Sequence, residues 1–425
     1  MTGLLPSVGI RGDEAERAAA GIRKVRHADV ERAVAAIIDS VRREGDAALL
    51  RYEKSFDGAD LPRLRVADEE LSGASASPEL AAALRFSLER LKLVQGRLLQ
   101  AVTLSVAGDG FEVGVSPSPL PSVGCYVPGG RASYASTVLM TAGVAKMAGV
   151  GRVVVCSPPG KDGRVGKAVL AAARLCGVDE VYAVGGAQAV AALAYGTEEI
   201  KKVAKIVGPG GLYPSVAKRA VAGDVLTDFF AGPTEIVVVA EEGSDAKRAA
   251  WDLVGQAEHG EETLCGLVTD SEGFAGEVRA EMEALLPRIE RRDYVTGALR
   301  AGFAAVYGDA GDACRFVEAL APEHLEILSS EDYFAPRIRS AGLKLLGPDS
   351  PCAASDYCMG TDHVIPTGGQ AAARGPLSVL DFVKMDWSLS CSREGLGRAL
   401  GGLKSLAYSE GLPNHYLSVA SRFGE

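Results

Sequence analysis

The chain has 425 residues, 47% apolar and 24% charged, which suits a globular enzyme of two or three domains better than one core. A net charge of −10 with no basic stripe excludes a nucleic-acid partner, and the most apolar stretch, STVLMTAGVAKMAGVGRVVVC, is broken by Lys146 and Arg152, which excludes a membrane span. The charged opening RGDEAERAAAGIRKVRH lacks the apolar segment of a secretory leader, and eight cysteines without a C-x-x-C pair read as reduced structural thiols, so a cytoplasmic location is expected.

The N-terminal quarter is expected to be helical. HADVERAVAAIIDSVRREGDAALLRYEKSFDG repeats apolar residues at helical spacing with a break at Gly45, and SPELAAALRFSLERLKLVQGRLLQAV does so behind a Ser cap and an early proline. From Gly124 strands and helices alternate: VGCYVPGG, TVLMTAGVAKMAGV, RVVVCSPP, VGKAVLAAARLCG (closed by Gly177), EVYAVGG, AQAVAALAYG and KVAKIVGPGG. A second alternating block runs from AGPTEIVVVAEE through AAWDLVGQAEHG, TLCGLVTDS, EGFAGEVRAEMEALLPRIE and FAAVYGD to AGDACRFVEALAPEHLEILSS. The segment from VKMDWSLS onward is predicted to be a mainly helical appendage.

Two glycine motifs invite a nucleotide reading. GKDGRVG at Gly160 misses the dinucleotide spacing and reads as an ordinary surface loop. In GGAQAVAAL two glycines at Gly185 lead straight into a helix, whose free N–H groups could meet a phosphate.

The histidines carry the remaining signal. His27 lies among charges and reads as a solvated surface residue. QAEHG sets Gln256 and His259 one helical turn apart, which suits either half of a metal site or a polar helix end. APEHLEI makes Glu323 and His324 neighbours at an element boundary, a general-base pair or a helix terminus. SDYCMGTDHVIPTGG holds Asp356 and His363 in a turn-rich loop, and SEGLPNHYLS holds Glu410 and His415. Gln256, His259, Asp356 and His415 together would offer N/O ligands without thiolate, a set for Zn2+, Mn2+ or Co2+.

At these motifs, together with YVPGGRASYASTVLM, VGGAQAVAALAYGT, KIVGPG, AGPTE and LSVLDF, the chain resembles the histidinol dehydrogenases from about Asp29 to its end. The resemblance implies an α/β fold of two Rossmann-like doubly wound parallel-sheet domains with helical N- and C-terminal extensions. The divisions are 1–21 as extension, 22–124 with 235–377 as first domain, 125–234 as second, and 378–425 as a tail. It implies zinc on Gln256, His259, Asp356 and His415, with Glu323 and His324 as the catalytic pair. Thr234, His363 and Glu410 match substrate-binding positions, joined there by Gln256, His259, His324, Asp356 and His415. Tyr126, Gln188 and Gly211 match NAD+-contact positions. It implies a homodimer in which the tail brings Glu410 and His415 to the partner's site.

Three positions depart from the family pattern. Gly211 stands where Asn is usual, which removes a hydrogen bond to NAD+; Thr234 replaces Ser and keeps the hydroxyl; Asp362 replaces Asn and is expected to add a negative charge. The usual His near LKLVQ is absent. The implied reaction is oxidation of L-histidinol through L-histidinal to L-histidine with two NAD+. A relative oxidising another polar alcohol, such as a sulfonated diol, is one alternative. A zinc hydrolase and a non-catalytic binding protein are others.

Overall fold

The computed structural model describes residues 3–12, 14–22, 28–129 and 134–424, so His27 and four residues of the YVPGGRASY motif lie outside the described part. Two parallel sheets organise the chain. The first has six strands in the order Ser7–Ile10, Phe303–Tyr307, Leu264–Thr269, Glu235–Val239, His324–Ile327 and Leu343–Leu346. The second has five, in the order Glu180–Ala183, Arg152–Ser157, Ser122–Tyr126, Lys205–Val207 and Leu226–Thr227.

Both sheets are covered on both faces, which explains their unbroken apolar strands. In IVVV, Ile236 and Val238 enter one buried cluster, and Val237 and Val239 the cluster behind the sheet. In VVVC, Val153 and Val155 separate from Val154 and Cys156 in the same way. The expected doubly wound architecture is the one observed.

The expected boundaries need correction. Ser7–Ile10 pairs in parallel with Phe303–Tyr307, and the helix Glu14–Ile22 packs on Ala310–Leu320, so the opening segment is an edge of the first sheet and not an extension. The helices Ala28–Glu44 and Pro78–Ala101 place Val34, Ile37, Leu84, Leu88 and Leu91 in the clusters of the five-stranded sheet, so this region belongs with 125–234 and not with 235–377. The tail likewise begins as a strand, Val383–Cys391, before its helices Arg393–Ser409 and Pro413–Ala420.

That strand pairs antiparallel with Phe111–Pro119, which also pairs with Leu104–Ala107, in a third sheet that the sequence reading did not anticipate. Pro117 and Pro119 are tolerated because they extend past Leu104–Ala107 and have a strand on one side only. The helices Leu212–Val221 and Arg292–Ala301 were also unanticipated.

Candidate active site and metal centre

The five-stranded sheet reverses its order at Ser122–Tyr126: the chain adds strands on one side, then returns with Lys205–Val207 on the other. Such a switch point, outside the carboxyl ends of the strands, is where open α/β sheets bind ligands. Tyr126, Gln188 and Gly211 all lie at this edge, at or just after strand ends. A groove lined by Pro128, Ser157, Pro158, Asp162 and Arg164 opens beside it, so the GKDGRVG loop helps form a concave surface.

The backbone here is tightly built. Gly208 has φ +118, and a Cβ there would stand 2.2 Å from the carbonyl oxygen of Tyr126. The Gly208 N–H donates to Asp228 Oδ2 at 2.8 Å, and the fully buried Lys218 donates to both Gly208 O and Asp228. The GGAQ helix start is less open than expected. The Gly185 N–H donates to Glu53 Oε1 at 3.2 Å and the Gly186 N–H to the Tyr126 hydroxyl at 3.2 Å, while Gln188 Nε2 donates to Glu53 at 2.9 Å. Burial pushes Glu53 up to about 7, against the Gln188 and Gly185 hydrogen bonds. Two of the N–H groups at this helix start, those of Gly185 and Gly186, are therefore taken within the chain.

A second cluster forms where Glu235–Val239 and His324–Ile327 begin, side by side. Thr234 donates its hydroxyl to Glu323 Oε2 at 2.6 Å, and the Glu235 N–H donates to the same oxygen at 2.8 Å. Glu235 accepts in return from the Glu323 N–H and from Gly368 N–H. Glu323 is 6% exposed, and burial raises it to about 7 despite His324 and these donors. His324 Nδ1 lies 3.1 Å from the Glu235 carbonyl oxygen, so Nδ1 carries a proton and Nε2 is the basic nitrogen. Nε2 is buried without a hydrogen-bond partner, 3.5 Å from Asp356 Oδ1. Burial works against its protonation, but Cys352, Glu323 and Asp356 outweigh it and hold His324 well above the ordinary range.

The helix Ala246–Ala257 ends after Gln256, and His259 stands in the turn beyond, not on the helix face. Gln256 Nε2 donates to Thr234 Oγ1 at 3.1 Å, which leaves its amide oxygen as the donor to a metal. Desolvation holds His259 below its ordinary range, opposed by Asp356 and reinforced by His324 and His363. Asp356 is lowered although burial opposes this, through His324, His363 and His259. Of the four expected ligands, His259 and Asp356 interact electrostatically within one chain, and Gln256 is linked through Thr234 to Glu323 beside His324. The fourth, His415, is exposed with Glu410 on the tail helices, which fasten through Arg398 to Asp109 and through Ser392 to Gly110.

His363 has both ring nitrogens engaged, Nδ1 with the Asp356 carbonyl at 2.7 Å and Nε2 with the Thr137 hydroxyl at 3.2 Å. Asp362 departs from expectation. It is 2% exposed, and burial, with Asp228 adding to it, raises its carboxyl well above the usual range. Its Oδ2 is buried without a hydrogen-bond partner, an environment that disfavours the charged form.

Sequence reading missed Glu235, Thr137 and Cys352. Among the described residues, His324, Cys352 and Asp356 form a group of potential ligand atoms within 4.8 Å of one another. Cys352 precedes Asp356 by four residues on the helix Cys352–Tyr357, a spacing that places both on one face.

A family model described as histidinol dehydrogenase matches residues 22–423. The histidinol dehydrogenase of Methanosarcina mazei is 40% identical over 402 residues, 93% of each chain. That of Halalkalibacterium halodurans is 42% identical over 92% of this chain and 93% of its own. The crystal structure of histidinol dehydrogenase from Elizabethkingia anophelis superposes with a TM-score of 0.93 at 30% identity, covering 99% of this chain and 98% of the other.

Proposed function

The chain belongs to the histidinol dehydrogenase family, and from that premise we propose that it oxidises L-histidinol through L-histidinal to L-histidine, with two NAD+ reduced in turn. The observation that carries the reading is the Glu323–His324 pair: two adjacent buried groups, both anchored on the Glu235 backbone, with His324 Nε2 free of a hydrogen bond and 3.5 Å from Asp356. Alternatives with another polar alcohol or a hydrolytic reaction are not favoured by relatives that share this name over nine-tenths of the chain.

His324 Nε2 takes the hydroxyl proton in the first oxidation, while Nδ1 stays anchored on the Glu235 carbonyl. Glu323 then removes a proton from the water that adds to the aldehyde, giving the gem-diol for the second oxidation. A carboxyl held at about 7 suits that task near neutral pH. Thr234, hydrogen-bonded to Glu323, and His363 line the substrate side, with Glu410 supplied by a second copy. Gln256, His259, Asp356 and the partner copy's equivalent of His415 would hold zinc. When bound, zinc would anchor the substrate and offset the charge of Asp356, which raises His324 together with Cys352 and Glu323. Tyr126, Gln188 and Gly211 would hold NAD+, which would supply hydride acceptance at this edge of the five-stranded sheet.

The homodimer rests on the tail. Glu410 and His415 do not reach this chain's own cluster, and Trp387, Leu389 and Leu406 expose about two-thirds or more of their surface (71%, 69% and 65%). A second copy supports both needs.

Partial reactions test the division of labour. His324→Ala is expected to slow oxidation of histidinol, and Glu323→Gln to slow mainly oxidation of supplied histidinal. If Glu323→Gln oxidises histidinal at the wild-type rate, the assignment of Glu323 is wrong.

A further inference from the structure

The group formed by His324, Cys352 and Asp356 contains a thiol that the proposed reaction does not use. Cys352 is 2% exposed, and its Sγ lies 3.9 Å from Asp356 Oδ2; His324 Nε2 lies 3.5 Å from Asp356 Oδ1. Tetrahedral zinc, with Zn–N and Zn–O near 2.0 Å and Zn–S near 2.3 Å, places its donors about 3.3–3.5 Å apart. The two separations to Asp356 lie within a few tenths of an ångström of these values, and the three donors all lie within 4.8 Å of one another. His324 is buried with Nε2 lacking a hydrogen-bond partner, and its Nδ1 faces a backbone carbonyl. That is the support a metal-ligating histidine ordinarily receives.

We propose that His324, Cys352 and Asp356 form a binding site for a thiophilic divalent cation, sharing only Asp356 with the Gln256–His259–Asp356–His415 set. One thiolate, one imidazole and one carboxylate favour Cd2+ or surplus Zn2+ over Mg2+ or Mn2+. Binding forms a sulfur–metal bond and releases the thiol proton to solvent, with no change of oxidation state. The cation would also occupy the Nε2 lone pair, so its binding inhibits turnover. That consequence rests on His324 acting as the base, whereas the binding itself does not.

The test is a titration of the purified holoenzyme with Cd2+, read by X-ray absorption at the cadmium edge and by turnover. The expected shell contains one sulfur, and turnover falls as it fills. Cys352→Ser, and Cys352→Ala should the first variant fold poorly, are each measured against their own Cd2+-free turnover. Both should weaken Cd2+ inhibition by at least the roughly 10- to 100-fold that losing a supporting partner costs. A shell of nitrogen and oxygen alone in the wild-type protein, or equal Cd2+ inhibition with and without Cys352, overturns the site. Sulfur in the shell with undiminished turnover supports the site and overturns the role of His324 as base.

Discussion

Asp362 Oδ1 accepts the backbone N–H of Val364 at 2.8 Å, while Oδ2 is buried without a partner. Burial without a partner for Oδ2 disfavours the charged form of this acid beside His363. The folded-state carboxyl is raised, so the unfolded chain ionises first as pH climbs past its value near 3.9. Folding then binds a proton and stability declines with rising pH. Asp362→Asn is expected to stabilise the protein at pH 8 by on the order of 1–3 kcal/mol, with the gain vanishing near pH 4. Thermal unfolding across that range checks it. A gain independent of pH would contradict a carboxyl raised by burial.

His259→Ala is expected to remove most bound zinc and activity. Loss of a single supporting group already costs roughly 10- to 100-fold in metal affinity, and a ligand costs more. Metal analysis of the purified variant decides the matter, and full occupancy would remove His259 from the ligand set.

Gly211 is the N-cap of Leu212–Val221, with extended backbone and nothing within 4 Å of the point where a Cβ would stand, so a side chain fits there. Gly211→Asn is expected to lower the KM for NAD+ about two- to tenfold, the worth of one hydrogen bond of about 0.5–1.5 kcal/mol. The product should not change. An unchanged KM would mean that another group already fills this role.

The sheets were legible because IVVV and VVVC are buried on both faces and carry an unbroken apolar signal. The third sheet was not, because most of its residues face solvent. Even so, Val383, Met385, Trp387 and Leu389 alternate with polar residues, a two-residue period that the helical reading overlooked. Glu323 and His324 were legible as neighbours. Their anchors, Thr234 and Glu235, come from a strand some 90 positions earlier in the chain (89 between Thr234 and Glu323), and only pairing of the two strands reveals the contact. The domain boundaries failed for the same reason: helices near the N-terminus pack by burial and not by order in sequence.

Shared sites can be tested by mixing inactive chains. His415→Ala and His259→Ala chains, combined in equal amounts, should form mixed dimers in which one site carries both lesions and the other neither. Activity is expected to return to roughly a quarter of wild type, since half the dimers are mixed and each has one intact site. A mixture that stays inactive after confirmed subunit exchange would mean that each chain builds its own site.

The most direct measurement is the yield of NADH from a limiting amount of L-histidinol, followed by absorbance with excess NAD+ and analysis of the product. Two successive oxidations in one site yield two NADH for each histidinol and leave histidine with little free aldehyde. One NADH with histidinal accumulating, or no NADH at all, would contradict the account.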